Sequence, residues 1–458
     1  MAYEHSNKPI SMSFTGDSMI SRALMPFREE RFLKIRDLLH ETDVRFTNGE
    51  MLFHNYEDSP TYYSQTYMRC NPKFIKDLQW FGINLMGCAN NHCTDFGENG
   101  VLTNIKYLDE AEMVHAGTGK NYADALFPAY LDTPKGRVAL ISATSSARPN
   151  ARAGDQRPDM NGRPGVNLIR WMNEWSVDRE TLQALHAMSQ QFGWRQSVPP
   201  WLNKAYGLSE VDAAQTVYLQ DRNTLGVGTE DPAARFVLGS SFERHTRIHQ
   251  HDLQRNLQSI SNARRMADWV VFTMHSHEGG GQDEEPADHI LELAHAAIDA
   301  GADVFIGHGP HLDRGIEIYK GKPILYSLGA FIIENDTVER MPQDSMVLYG
   351  LGHDNVPADL FETRRSGAGR QYEGTDPHHQ SAVAVISFDS NGLLNMKLHP
   401  IEFGSELPRT QSGRPQLAEG NGARETLERF QRLSKLFGTQ IEIQGNVGIV
   451  KATSKAPQ

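Results

Sequence analysis

The segment INLMGCANNHCTDFG, residues 83–97, joins a short apolar run directly to a cluster of polar side chains. Its first seven residues have no helical period and are typical of a buried strand. Asn90 and Asn91 stand directly before His92, and Asp95 follows three residues later. A turn before a helix uses Asn, Asp and Gly but has no need of the histidine. These residues alone leave two interpretations open, a capped turn and a functional strand end.

The composition restricts the class of protein. The chain has 458 residues, a net charge of −12, 39% hydrophobic and 22% charged residues, which suits a soluble globular protein of one or two domains. The acidic balance argues against nucleic acid or an anionic membrane as the main partner. Cys70, Cys88 and Cys93 lack CxxC spacing, and no apolar run reaches the roughly 18–20 residues of a membrane span. Because the N-terminus also lacks a signal pattern, we expect a cytoplasmic protein with reduced thiols.

Strand and helix patterns alternate along two parts of the chain. The predicted strands are 10–16, 44–50, 83–89, 137–144, 268–274 and 302–307. The predicted helices are 31–41, 72–82, 97–112, 251–267, 285–301 and 422–438. Hairpins are predicted at 315–329 and 381–403. Such alternation predicts an α/β fold with helices on the faces of the sheets.

Two stretches interrupt this alternation. Residues 147–250 are rich in Arg, Pro, Asn, Gly and Trp, with short helical patterns at 180–194 and 209–219, and residues 334–380 look irregular. The tryptophans indicate a folded insertion in the first stretch rather than a linker. The expected organisation is a core at 1–146 and 251–403, an inserted lid at 147–250, a second insertion at 334–380, and a C-terminal helix and tail at 404–458.

Polar residues follow five of the predicted strands. They are Asp17, Asn48 with Glu50, Asn90 to His92, His275 to Glu278, and His308 with His311. The carboxyl ends of strands in an open α/β sheet meet at one edge, so these groups can converge. Carboxylates, imidazoles and an amide oxygen suit Mn, Zn or Fe better than Ca or Mg. Each group alone also fits a turn, but together they favour a centre of one or two divalent ions.

The motifs resemble the calcineurin-like metallophosphoesterase superfamily and, more closely, the CapA family of bacterial capsule and poly-γ-glutamate synthesis proteins. The matching segments are FTGDSM (14–19), FTNGE (46–50), ANNHCTDFG (89–97), FTMHSHEGG (272–280) and GHGPHLDRGIEIYKGKPILYSLGAF (307–331). The resemblance covers 8–145, 252–332 and 381–403. It implies a four-layer α/β/β/α sandwich of the metallo-dependent phosphatase type, with an inserted lid.

The resemblance also implies a set of metal ligands: Asp17, Glu50, Asn91, His275, His308 and His311. Glu50 would bridge two ions, with Asp17 and His311 on the first and the other three ligands on the second. His92 would be a general acid or a transition-state stabiliser, and Asp95 would orient its ring.

Two positions depart from the family pattern. Met19 stands where the superfamily often has a histidine ligand, and Ala330 replaces an asparagine. The first metal site therefore lacks a ligand, or one ion suffices. His277 and Glu278 lie where the family commonly has other residues, and either could replace the ligand or contact substrate. A solvent-facing His277 is the alternative.

Arginines in both insertions point to an anionic substrate. Arg148 and Arg152 are the main candidates, and Arg157, Arg364, Arg365 and Arg370 add to them. Arginine suits bidentate binding of carboxylate or phosphate, although any single one also fits a solvated surface.

The expected activity is hydrolysis of an amide or phosphoester bond of an anionic small or peptide-like substrate by a metal-bound hydroxide. Family members are usually secreted or membrane-anchored, whereas this sequence shows no anchor pattern, so a role in capsule assembly does not follow from the resemblance. The alternatives are a non-enzymatic accessory role in polymer synthesis and a metal-dependent lyase.

Overall fold

The computed structural model describes residues 6, 8–62, 66–193, 200–208, 215–219, 234–367, 378, 380–389 and 392–451. The strands are β1 (Ile10–Met19), β2 (Val44–Gly49), β3 (Leu52–Phe53), β4 (Arg69–Cys70), β5 (Leu85–Gly87), β6 (Val114–Ala116), β7 (Thr118–Gly119), β8 (Ala129–Thr133), β9 (Gly136–Thr144), β10 (Gly165–Val166), β11 (Trp171–Val177), β12 (Thr216–Leu219), β13 (Ala234–Leu238), β14 (Glu243–Ile248), β15 (Trp269–His275), β16 (Val304–His308), β17 (Ile316–Tyr319), β18 (Lys322–Leu325), β19 (Ala330–Ile333), β20 (Gln380–Asp389), β21 (Gly392–Glu402), β22 (Gln416–Leu417), β23 (Ile441–Gln444) and β24 (Val447–Val450). The helices are α1 (Glu30–His40), α2 (Ile75–Phe81), α3 (Gly97–Glu110), α4 (Tyr122–Ala125), α5 (Arg179–Gln191), α6 (Pro200–Ala205), α7 (Gln250–Arg264), α8 (Asp288–Ala300), α9 (Gln343–Leu348), α10 (Pro357–Gly367) and α11 (Gly420–Ser434).

Two large sheets face each other at the centre of the molecule. The first has the order β23-β24-β21-β20-β1-β2-β5-β6, with β19 and β22 paired to β1 and β21. The second has the order β17-β18-β16-β15-β9-β8. Phe14 and Phe46 from the first sheet share one apolar cluster with Val271 and Ile306 from the second. The predicted α/β class is confirmed.

Helices cover the outer faces of both sheets. Helices α1 and α2 bury Phe32 and Leu78 in a cluster that also contains residues of the first sheet. Helices α7 and α8 pack on the second sheet, against Val270 and Phe272 of β15. Every residue of β15 is buried, because alternate side chains face the first sheet on one side and these helices on the other.

The insertion adds a four-stranded sheet of its own, in the order β12-β13-β11-β14. The ring of Trp171, at the start of β11, stacks on His289 of α8 with centroids 5.1 Å apart. Its Nε1 donates a hydrogen bond to the carbonyl oxygen of Ser145 at 3.3 Å. The insertion therefore contacts the second sheet near the ends of β9 and β15.

Three sequence predictions are wrong. Residues 216–219 were expected in a helix but form β12, since Val217 and Tyr218 pair with β13 and such side chains suit a pleated surface; residues 209–214 lie outside the described residues. The stretch 334–380 contains α9 and α10. The C-terminal tail contains the hairpin β23-β24, which extends the first sheet.

Among the described residues, none of the helices combines the length and apolar character needed to cross a membrane. The cytoplasmic location stays a prediction from the sequence.

Candidate metal centre

Two histidines end neighbouring strands of the second sheet. His275 and His308 are the last residues of β15 and β16 and are paired across them. Val271 and Ile306 of the same strands face the first sheet. Side chains on a strand alternate with a period of two, so His275 and His308 face the first sheet as well.

A bulge turns Asp17 towards these histidines. Between Phe14 and Asp17 the register of β1 with β2 shifts, so that β1 carries one residue more than its partner. An extra residue exchanges the two faces of a strand, and Asp17 therefore shares the inward face with Phe14. Gly16 lies in this bulge, where an added Cβ would be 1.9 Å from the carbonyl oxygen of Gly329.

The carboxylate of Asp17 is fully buried among polar partners. Its Oδ1 accepts a hydrogen bond from Asn48 Nδ2 at 2.7 Å and lies 3.4 Å from Nδ1 of both His275 and His308. Burial raises the pKa of Asp17, but the contacts with the histidines outweigh it and hold the pKa well below the usual value. Burial also lowers the pKa of His275 to about 4, so this imidazole is neutral, as a metal ligand must be.

The loop after β16 brings a third histidine to Asp17. Gly309 has φ 123°, and its backbone N–H donates to Asp17 Oδ2 at 2.9 Å. His311 has φ 55° and places Nδ1 3.2 Å from the same oxygen. A positive φ is uncommon for residues other than glycine and costs about 1–3 kcal/mol. The tight loop therefore holds His311 over the centre.

Glu50 is buried without a hydrogen-bond partner at either carboxylate oxygen. Its Oε1 lies 3.7, 3.8 and 3.9 Å from Nε2 of His311, His92 and His275. Burial, and then the charge of Asp17, raise its pKa well above the usual value. Ligands at about 2.0–2.3 Å from one ion lie roughly 3–4 Å apart. The donors therefore fit a shared cation, which would compensate the isolated charge.

Three groups of donors have ligand atoms within 4.8 Å of one another: Asp17 with His275 and His308, Glu50 with His275 and His277, and Asp17 with Glu50 and His311. Glu50 belongs to two groups, as a bridging ligand would. His308 is grouped with Asp17 rather than with Glu50, which differs from the partition implied by the resemblance. The Oδ1 of Asn91 is buried without a hydrogen-bond partner, which leaves it open as an acceptor.

His92 lies beside this cluster, held from behind by Asp95. Nδ1 of His92 is 2.7 Å from Asp95 Oδ2, and its backbone N–H donates to Asn90 Oδ1 at 3.0 Å. Nε2 thus faces Glu50. Asp95 Oδ2 also accepts the backbone N–H of Met68 at 2.8 Å. The arrangement fixes the ring with one nitrogen towards the cluster.

The four residues that the sequence offered as possible substrate contacts are His277, Glu278, Arg148 and Arg152, and their surroundings differ. His277 is exposed beside the cluster. Glu278 accepts hydrogen bonds from three hydroxyl groups: Ser145, Ser146 and Ser276. Arg148 donates to Thr61 Oγ1 at 2.8 Å and lies 3.6 Å from Asp95 Oδ1. Arg152 donates to Asp252 at 3.3 Å.

The remaining candidate arginines have partners outside the cluster or lie beyond the described side chains. Arg157 pairs with its neighbour Asp159 at 3.0 Å, and Arg364 donates to Thr66 at 2.7 Å. Arg370 and the side chain of Arg365 lie outside the described residues.

Met19 and Ala330 take no part in the cluster as donors. Met19 is packed in the apolar cluster with α1 and α2, and Ala330 is buried opposite Asp17 on β19. The sequence analysis placed Asn48 among the polar residues at strand ends but gave it no role, and it did not name Thr61. Asn48 shares its strand face with Glu50, two residues further, and that spacing was the available signal.

Comparisons with known proteins bear on the family of the chain. The family model "Bacterial capsule synthesis protein PGA_cap" matches residues 11–335. Two Sinorhizobium fredii proteins, y4uA and y4sH, are each 34% identical, over 96% of this chain and 93% of theirs. The Bacillus subtilis "PGA biosynthesis protein CapA" is 22% identical, over 84% of this chain and 76% of its own. The solved structure of Haemophilus influenzae NAD nucleotidase covers 93% of this chain and 56% of that one with 9% identity and a TM-score of 0.30, a value too low to support an inference.

Proposed function

This chain belongs to the family of bacterial capsule synthesis protein PGA_cap, and from that premise we propose that it is a metal-dependent hydrolase. The observation that carries the proposal is the buried Glu50 carboxylate, which has no hydrogen-bond partner and three imidazole Nε2 atoms 3.7–3.9 Å away. The proposed architecture is a four-layer α/β/β/α sandwich of the metallo-dependent phosphatase type, with residues 147–250 as a lid.

The proposed ligands are Asp17, Glu50, Asn91, His275, His308 and His311. A mixed set of imidazole, carboxylate and amide donors favours Mn, Zn or Fe. When bound, such ions lower the pKa of water and polarise the oxygen of the scissile bond. Asp17 and Glu50 supply the negative charge that holds them, and His275 supplies a neutral nitrogen because burial keeps its pKa at about 4.

His92 is the proposed proton donor to the leaving group. Its Nδ1 is engaged by Asp95 at 2.7 Å, so only Nε2 remains to face a substrate. Arg148, 3.6 Å from the Asp95 carboxylate, would supply positive charge for an anionic substrate. The bond would be an amide or a phosphoester.

A second candidate is an accessory role in polymer synthesis. The printed name of the Bacillus subtilis relative connects that protein with PGA biosynthesis. A scaffold has no need of a partnerless buried carboxylate among histidines, so the cluster favours hydrolysis or a metal-dependent lyase reaction.

Purified protein loaded with Mn²⁺, Zn²⁺ or Fe²⁺ would be assayed with p-nitrophenyl phosphate and with γ-glutamyl-p-nitroanilide. We expect hydrolysis of one of them that is lost with EDTA and restored by metal. Glu50→Ala should lose bound metal and activity together, whereas Glu317→Ala, which removes a carboxylate paired with His295 at 2.9 Å, should keep both. Full metal content in Glu50→Ala, or no metal in the unmodified protein, would overturn the proposal.

A further inference from the structure

We propose that His277 is a metal ligand, the third donor to an ion that Glu50 and His275 also hold. The inference rests on the metal centre of the proposed function and adds a residue to it. The chain lacks the histidine that the superfamily often has at position 19, and Met19 is packed in an apolar cluster. His277 brings a further imidazole to the centre from a different loop.

The imidazole rings of His277 and His275 approach each other through their Nε2 atoms. The two Nε2 atoms are 3.2 Å apart, and they group with a Glu50 oxygen within 4.8 Å. The Nδ1 of His275 lies 3.4 Å from Asp17, a carboxylate that favours a proton on that nitrogen. The Nε2 of His275 then carries a lone pair. Two lone pairs and a carboxylate that converge on one point form a cation site.

The backbone of His277 is fixed by hydrogen bonds, although the residue is exposed. Its N–H donates to Ser146 Oγ at 2.6 Å. Its carbonyl oxygen accepts a hydrogen bond from the fully buried Arg314 at 3.5 Å, and Arg314 also donates to the carbonyl oxygen of Asp283 at 3.1 Å. These backbone hydrogen bonds hold the residue in position for metal binding without the ion. His277 would therefore be the ligand on the solvent side of the centre.

The donors of this cluster would then hold two ions and share Glu50, which belongs to two of the donor groups. Asp17, His308 and His311 would hold one ion, and His275 and His277 would hold the other, with the open Oδ1 of Asn91 as a further candidate ligand. This division gives each ion imidazole nitrogen and at least one oxygen.

The test compares metal binding in four proteins: the unmodified chain, His277→Ala, His277→Gln and the control His353→Ala. His353 is an exposed histidine of the second insertion. Zn²⁺ content is measured after equilibrium dialysis at graded free Zn²⁺, and the visible spectrum is recorded with Co²⁺. Circular dichroism confirms the fold of each variant.

We expect about two equivalents of metal in the unmodified chain and in His353→Ala. Both His277 variants should bind one equivalent at least roughly tenfold more weakly, with a changed Co²⁺ spectrum. Unchanged affinity and spectrum overturn the inference, and a raised KM with full metal content makes His277 a substrate contact instead. The proposed function fails separately, if the unmodified chain binds no metal or if Glu50→Ala binds it normally.

Discussion

His92 and Asp95 form a hydrogen-bonded pair, with Nδ1 of the imidazole 2.7 Å from Oδ2 of the carboxylate. The pair points the other ring nitrogen towards Glu50, at 3.8 Å. Asn91, the preceding residue, ends in a buried oxygen that lacks a hydrogen-bond partner. Adjacent positions thus carry an amide oxygen that is open as an acceptor and a separately oriented imidazole. This arrangement explains why the histidine follows the asparagines.

We expect His92→Ala to keep its metal and to lose kcat by about 10²–10⁴-fold, the usual contribution of a general acid. The loss should be smaller for p-nitrophenyl esters or anilides than for substrates with poor leaving groups, because a good leaving group needs less protonation. Steady-state kinetics and metal analysis of the same preparation check this. A loss of metal in proportion to activity would instead make His92 a ligand.

Arg148 should act on the reaction through Asp95. Arg148→Ala removes the positive charge 3.6 Å from the Asp95 carboxylate and the hydrogen bond to Thr61, so the ring of His92 loses part of its support. We expect kcat to fall by about 10–100-fold, the range typical of residues that orient a functional group. Arg148→Lys should recover part of the loss, and Arg157→Ala, at an exposed arginine, should change nothing. Wild-type kcat in Arg148→Ala contradicts this role.

The convergence of the strand ends could be predicted from the sequence. His275 and His308 follow apolar runs whose length and β-branched content indicate buried strands, and parallel strands end at the same edge. Glu50 follows the shorter strand VRFTNG, whose first four residues alternate between apolar and polar. These local patterns are sufficient to predict the convergence, because each places its polar residue within two positions of a strand end.

Long-range geometry could not be predicted in the same way. The bulge that turns Asp17 inward depends on the close approach of Gly16 to Gly329, which are far apart in sequence. The bond between Arg148 and Thr61 joins residues separated by 87 positions. No local pattern encodes either contact, because each exists only after the sheets have packed.

Gly16→Ala should prevent the bulge from forming. Its Cβ would lie 1.9 Å from the backbone oxygen of Gly329. That oxygen accepts the backbone N–H of Asp17 at 3.1 Å, so relief of the clash would disturb the pairing of β1 with β19. We expect a loss of roughly 3 kcal/mol in the free energy of unfolding, at the upper end for overpacking. Gly352→Ala is the control, since nothing lies within 4 Å of a Cβ at that site. Chemical denaturation measures both, and equal stability of the two variants would contradict the argument.

His54 should make the stability of the fold depend on pH. Burial, and then the charge of Arg69, lower its pKa to about 4, while the unfolded chain keeps about 6.5. A depressed pKa gives stability that is present above pH 6.5 and is lost as the pH falls towards 4, because only the unfolded chain takes up the proton in that range. Between pH 7 and 5 the loss from this residue is roughly 2 kcal/mol. The free energy of unfolding would be measured on metal-free protein at both pH values. Between pH 7 and 5 it should fall by roughly 2 kcal/mol less in His54→Gln than in the unmodified chain, because the glutamine side chain cannot become charged. His353→Gln, at an exposed histidine, should keep the pH dependence of the unmodified chain, and an unchanged dependence in His54→Gln would show that the imidazole is protonated without cost.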